Sequence, residues 1–365
     1  MKIKAIAAFV MCSILMTACG KDITIQQNEE MEAVGEASVS EPGTSEKATS
    51  IAKTDSLETE TSATTEISAE DIYYSFNPHV CPPMIRDSYG DAWDAFFNLC
   101  DAAREGKDTF ECPDEATFEF CIGCPVGDFF PGVAPFIDSD KCSFSDGVGH
   151  IVYTVSPEEV VKNEQAFEQE VERILKECVS KDYTDFEKCL ALYEYFGREC
   201  EYDYEEADSL DTDIENLEQS GYYSGIYGVI LNKKGICGQI GSAYSYLLLQ
   251  CGVDAITYSG LDHGWSYVKI NGKEYHIDPT WVLVDHENID LTYFMMTTQE
   301  RIEGVGDTLF PAMYSYDYFV DNVQFNADDE TYKPLHGGIF KSMDREKKIV
   351  YYDVEGETKE FHYDA

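Results

Sequence analysis

Hydrophobic and polar positions follow several distinct rhythms along this chain, and the changes of rhythm mark its parts. Behind Lys2 and Lys4, an apolar run over residues 5–16 ends in Met16, Thr17, Ala18 and Cys19. The run is too short to span a bilayer. With its basic start and small-residue end it reads as a secretion signal over 1–18. From 20 to about 69 the pattern vanishes into Ser, Thr and Glu with almost no aromatic residues. Such a segment cannot bury enough apolar surface to offset its ordering entropy, so a disordered acidic tether is expected over 19–69.

Residues 70–153 are irregular, with six cysteines, several Pro and Gly, and a helix-like stretch near 89–104. Helical rhythm becomes clear after Tyr153. Ser156, Pro157 and Glu159 supply a cap, a first-turn proline and a capping box ahead of Phe167, Val171, Ile174, Leu175 and Cys178. A second box, Thr184 with Glu187, leads into Cys189, Leu190, Tyr193 and Phe196. A third helix starts at or near Cys237, with Ile240, Ala243, Tyr244, Leu247, Leu248 and Cys251 at helical spacing and Gly252 closing it. The rhythm then turns to strands at 253–259, 264–270 and 273–277, the last two flanking Asn271-Gly272, a strong hairpin signal. Beyond Thr298 it fades, apart from two β-like runs at 348–354 and 358–363. The expected fold is α+β, with a Cys-rich extension over 70–153, a main domain over 154–310 and a small β appendage over 311–365.

Composition narrows the function classes. Aromatic residues at 13% and hydrophobic residues at 44% fit packed domains. The 70 acidic against 26 basic residues give a net charge of −44, which repels a phosphate backbone at every approach and argues against nucleic-acid binding. Asp211, Asp213 and Glu215 form the best candidate calcium cluster but lack the glycine turn of a helix-loop-helix site. Seven histidines supply no cluster for a metalloenzyme, and neither cofactor nor metal is expected. Cys81, Cys100, Cys112, Cys121, Cys124 and Cys142 allow three readings: disulfides first, then structural thiols, then zinc, for which the spacings match no common module. A redox role for the Cys121–Cys124 pair lacks the strand-then-helix setting it needs.

The chemistry concentrates around the hairpin. A two-residue turn puts Ile270 opposite Lys273, which carries His263 toward Thr280 and Trp265 toward Asp278. Alternate residues share a face, so His263, Trp265, Asp278 and Thr280 project from one side, with His263 and Asp278 in side-chain reach. Val268, Ile270, Tyr275 and Ile277 go to the core. Cys237 sits at a helix N-terminus, where the dipole favours the thiolate that attacks carbonyls. Gly235 and Gly238 flank it, and the first-turn amides are candidates for an oxyanion hole. Singly, these residues have ordinary readings as a buried thiol, a strand-end histidine and a turn aspartate; His276 reads as structural.

Two resemblances extend this picture. Met16-Thr17-Ala18-Cys19 resembles the lipobox of bacterial lipoproteins, which implies lipidation of Cys19 and an extracytoplasmic protein anchored to the cell membrane. Gly235-Ile236-Cys237, Leu247-Leu248, Gly252-Val253, His263-Gly264-Trp265 and Tyr275-His276-Ile277-Asp278-Pro279-Thr280-Trp281 together resemble the bacterial transglutaminase-like superfamily. That resemblance implies a papain-like α+β core, with a helix bearing an N-terminal cysteine packed on an antiparallel sheet. It implies Cys237 as nucleophile, His263 as general base and Asp278 as orienting acid, supported by Gly238, Trp265 and Trp281. Gly264 and Ser266 depart from the Ala and Asn common in the family, a change expected to loosen the strand or alter substrate contact. The implied activity is a surface thiol enzyme that cleaves or exchanges an amide or peptide bond, with a protein or peptide as substrate. The non-enzymatic alternative is an inert peptide-binding module on the same fold.

Overall fold

The computed structural model describes residues 72–210, 225–260, 263–312 and 325–363. The signal and tether, Cys19 and the cluster of Asp211, Asp213 and Glu215 lie outside them.

Within these residues the chain is α+β, with ten helices, three antiparallel sheets and one short parallel strand pair. The extension opens with α1 (Pro83–Tyr89) and α2 (Ala92–Arg104). Trp93, Phe96, Cys100 and Ala103 recur on one face of α2 and are buried. β1 (Thr109–Glu111), α3 (Glu115–Ile122), α4 (Cys124–Phe129), β2 (Ser143–Ser145) and β3 (Val148–His150) follow, the strands ordered β1-β3-β2. Where disulfides are the first expectation, Cys81, Cys100, Cys112, Cys121 and Cys142 are instead free thiols. Burial pushes the thiol of Cys81 up to about 12, so these residues pack as small apolar groups.

The scaffold helices begin where the caps predict. α5 (Pro157–Cys178) starts with Ser156 Oγ accepting from Glu159 N–H at 3.2 Å, while the Glu159 carboxylate stays exposed. α6 (Asp185–Glu199) has the full reciprocal box between Thr184 and Glu187. Then come β4 (Glu201–Tyr202), α7 (Tyr204–Leu210), α8 (Gly225–Asn232) and β5 (Lys234–Gly235), with β4 and β5 paired in parallel.

β5 leads directly into α9 (Cys237–Gln250), whose residues are buried on every side. α9 lies on the main sheet, ordered β8-β7-β6-β9 from β6 (Asp254–Ser259), β7 (Gly264–Ile270), β8 (Lys273–Ile277) and β9 (Phe310–Pro311). The hairpin register is the expected one: Ile270 opposes Lys273, Val268 opposes Tyr275 and Ser266 opposes Ile277. Asn271 and Gly272 have φ of 51° and 76°, the two left-handed residues of a type I′ turn.

α10 (Thr298–Val305) and the meander β10 (Ile339–Asp344), β11 (Ile349–Val354) and β12 (Glu357–His362) complete the described chain. The tail has three strands where the rhythm shows two, and Phe310–Pro311 joins the main sheet through β6. The meander is tied to α6. The fully buried carboxylate of Glu187 accepts from Tyr363 Oη at 2.6 Å and Lys348 Nζ at 2.9 Å. Burial pushes its pKa up, but these donors and the Thr184 amide outweigh burial and hold it ionised. The extension is tied to the far end of α9: Asn77 N–H donates to Gln250 Oε1 and Gln250 Nε2 to the Asn77 carbonyl, both at 2.8 Å.

Candidate active site

Cys237 and His263 meet because a glycine lets a helix touch a strand. A Cβ on Gly241 would lie 2.6 Å from the Trp265 Cα and within 3.0 Å of its neighbouring backbone atoms, so only glycine permits this approach of α9 to β7. One helical turn back from Gly241 is Cys237; two strand residues back from Trp265 is His263. The entry to α9 is fixed by Gln239, whose Oε1 accepts from Ile236 N–H at 3.0 Å and whose Nε2 donates to Glu206 at 2.8 Å. These bonds leave the first-turn amides, including that of Gly238, beside the thiol.

His263 Nε2 lies 2.6 Å from Asp278 Oδ2, and the same imidazole hydrogen-bonds with the Cys237 thiol. With Nε2 taken by the carboxylate, Nδ1 is the nitrogen left for sulfur. All three residues are buried, Cys237 and Asp278 at 0% exposure and His263 at 3%. Burial opposes a charge on His263, but Asp278 and then Cys237 outweigh it and raise its pKa well above the ordinary histidine value. Burial likewise opposes ionisation of Asp278. His263, Arg301 and the Thr280 amide, which donates to Oδ1 at 3.1 Å, together hold the carboxylate below its usual range.

Arg301 was not singled out in the sequence. It lies in the first turn of α10 and is 1% exposed, with Nη2 3.0 Å from Asp278 Oδ2 and its guanidinium 4.3 Å from the centroid of the Trp265 ring. That is a buried ion pair combined with a cation–π contact. The ion pair lacks hydrogen-bond geometry, and the Nε and Nη2 atoms are buried without hydrogen-bond partners. Its sequence signal is indirect: the capping box of Thr297 with Glu300 immediately precedes it.

Trp265 Nε1 donates to His276 Nδ1 at 2.9 Å, and His276 Nε2 faces Thr298 Oγ1 at 3.2 Å. Burial and the nearby Arg301 charge push the His276 pKa well down, so this histidine is a neutral brace beneath the site. Trp281 is 6.1 Å ring-to-ring from His263 and stacks on Tyr293 at 5.3 Å, its buried Nε1–H without a hydrogen-bond partner. Ser266 corrects an expectation: it is fully buried on the opposite face of β7, 2.8 Å from Ser245 Oγ of α9, and so takes no part in substrate contact. Thr280 contributes its backbone amide.

A thiol bonded to an imidazole, itself bonded to an ionised carboxylate, is an arrangement chemically suited to acyl transfer. Among the described residues no group of three His, Cys, Asp or Glu side chains is placed to hold a metal ion. No model of a known protein family matches this chain, and no curated protein matches it.

Proposed function

We propose that the protein is a transglutaminase-like thiol enzyme with a papain-like core, carried on the bacterial cell surface by a lipidated Cys19. The observation that carries this reading is the continuous chain from Cys237 through His263 to Asp278, with the carboxylate 2.6 Å from the imidazole. In the reaction, Cys237 Sγ attacks the carbonyl carbon of a carboxamide or peptide bond, and the first-turn amides of α9 steady the oxyanion. The C–N bond breaks, His263 gives its proton to the departing amine, and a thioester remains on Cys237. An incoming amine or water, deprotonated by His263, then releases the acyl group as a crosslink or an acid. Asp278, held ionised by His263, Arg301 and the Thr280 amide, keeps Nε2 protonated and Nδ1 directed at sulfur throughout.

One observation favours a second reading, an inert peptide-binding module: Cys237 is fully buried. Limiting iodoacetamide across pH 5 to 9, read by peptide mass spectrometry, separates the two. The enzymatic reading expects Cys237 to label faster than every other cysteine at low pH, and His263→Ala to slow it about 100-fold. A Cys237 that labels no faster than the other thiols, or equally fast in the variant, leaves only the binding module.

A further inference from the structure

A cavity of about 440 Å³, lined by none of the three site residues, is not used by the reaction as drawn. Its floor and walls include Tyr202, Tyr204, Leu283 and Val284. Tyr204 is 52% exposed and Val284 54%; only one other large hydrophobic among the described residues, Ile72, is comparably exposed. Two such side chains facing one hollow mark a surface arranged to be covered. The hollow sits between the two segments that lead to the site. Tyr202 pairs with Gly235, on the strand that runs into Cys237. Leu283 and Val284 end the short helical turn that begins at Trp281, over His263.

The size and charge of the hollow choose its occupant. It has room for a large side chain with some of its flanking chain, and is far too small for an interface between protein domains. Glu201 and Glu205 stand exposed on its rim. Lys234 and His286 line it too, Lys234 paired with Asp203 at 3.1 Å and His286 hydrogen-bonded through Nδ1 to the Gly197 carbonyl at 2.8 Å. Three carboxylates, Glu201, Glu205 and Asp203, thus stand around one lysine, and the rim has a surplus of negative charge on a chain of net charge −44.

Resting on the acyl-transfer reading, we propose that this cavity is a substrate subsite that receives an aromatic or large aliphatic side chain flanked by basic residues. The substrate class is then a cationic, apolar peptide segment presented with its reactive amide toward Cys237. Tyr204 and Val284 grip the apolar side chain, and Glu201 and Glu205 attract the flanking charges.

The test uses the full chain with Cys237→Ala and short fluorescein-labelled peptides whose cores are lysine-phenylalanine-lysine, glutamate-phenylalanine-glutamate and lysine-alanine-lysine, followed by anisotropy. The first peptide is expected to bind about tenfold more tightly than either other. Val284→Asp should remove the preference for phenylalanine, and Glu201→Lys with Glu205→Lys should reverse the preference for lysine. Equal binding of the three peptides, or variants that change nothing, overturns the subsite. In the wild-type chain the first peptide should also slow iodoacetamide labelling of Cys237, and Val284→Asp should abolish that protection. Binding without protection likewise overturns it, because the hollow then does not communicate with the thiol. Binding that persists where Cys237 proves no more reactive than an ordinary thiol refutes the enzymatic reading and keeps the hollow as a peptide site.

Discussion

Three carboxylates among the described residues are almost wholly withdrawn from solvent, Glu187, Asp278 and Glu164, and the last two live opposite lives. Asp278, on the polar face of the main sheet, is met by His263, Arg301 and the Thr280 amide, and stays ionised. Glu164, midway along α5, is 1% exposed, and neither carboxyl oxygen has a hydrogen-bond partner. Burial pushes its pKa up to about 8, with the Glu168 charge adding to it and Arg104 too weak an opponent. Glu164 is held among packing atoms: a Cβ on Gly132 would collide with its Oε2 and with the Phe167 ring. Burial alone therefore does not decide charge. The partners do: Glu187, also fully buried, is held ionised by Tyr363, Lys348 and the Thr184 amide, as Asp278 is by its own set.

The contrast can be broken most sharply at Asp278. Asp278→Ala leaves Arg301 buried beside an empty position, with an expected loss of about 3–5 kcal/mol in urea unfolding. A loss within about 0.5 kcal/mol would mean that this pair does not hold the site together. Glu164→Gln should act in the other direction. Below the ordinary value of 4.5 the Glu164 carboxyl is protonated in both folded and unfolded chains. As pH rises from there through about 8, the unfolded chain releases the proton first, so stability drains away over that window. The variant is expected to gain on the order of 4 kcal/mol at pH 8 and little at pH 4.5; a pH-independent difference would contradict the assignment. Asp278 has the opposite sign, its contribution present above the ordinary aspartate value and lost as pH falls through the depressed one. The smallest effect on stability is expected from Gly241→Ala, about 1–2 kcal/mol from overpacking against Trp265. Moving the helix off the strand should also slow Cys237 alkylation, and unchanged labelling would separate the glycine from the alignment of the site.

The hairpin was the most legible part of the chain because its turn chemistry and its alternation agree. Asn271-Gly272 sets the register, and the register puts His263 and Asp278 on one face. The start of α9 was legible too, from the spacing behind Cys237. What escaped were features that depend on distant partners. Arg301 looks like any surface arginine in a weakly patterned helix until folding seats it between Asp278 and Trp265. The strand at Ile339–Asp344 is interrupted by a bulge between Phe340 and Ser342, which erases the alternation that would reveal it. Gly241 shows only that a side chain is missing, and its use appears when the strand lies against it. Cys81, Cys100, Cys112, Cys121 and Cys142 are free thiols, which a count of cysteines does not reveal.

The reciprocal hydrogen bonds between Asn77 and Gln250 make the last turn of α9 a seam between the N-terminal extension and the main sheet. The chain leading to Asn77 has its own anchors as well, Lys181 N–H on the Ile72 carbonyl at 2.8 Å and Phe76 N–H on the Glu172 carboxylate at 2.9 Å. The helix that carries this seam at one end carries Cys237 at the other, and its glycine seat on Trp265 lies between them. The extension and the thiol thus share a single rod, pinned to the sheet at Gly241.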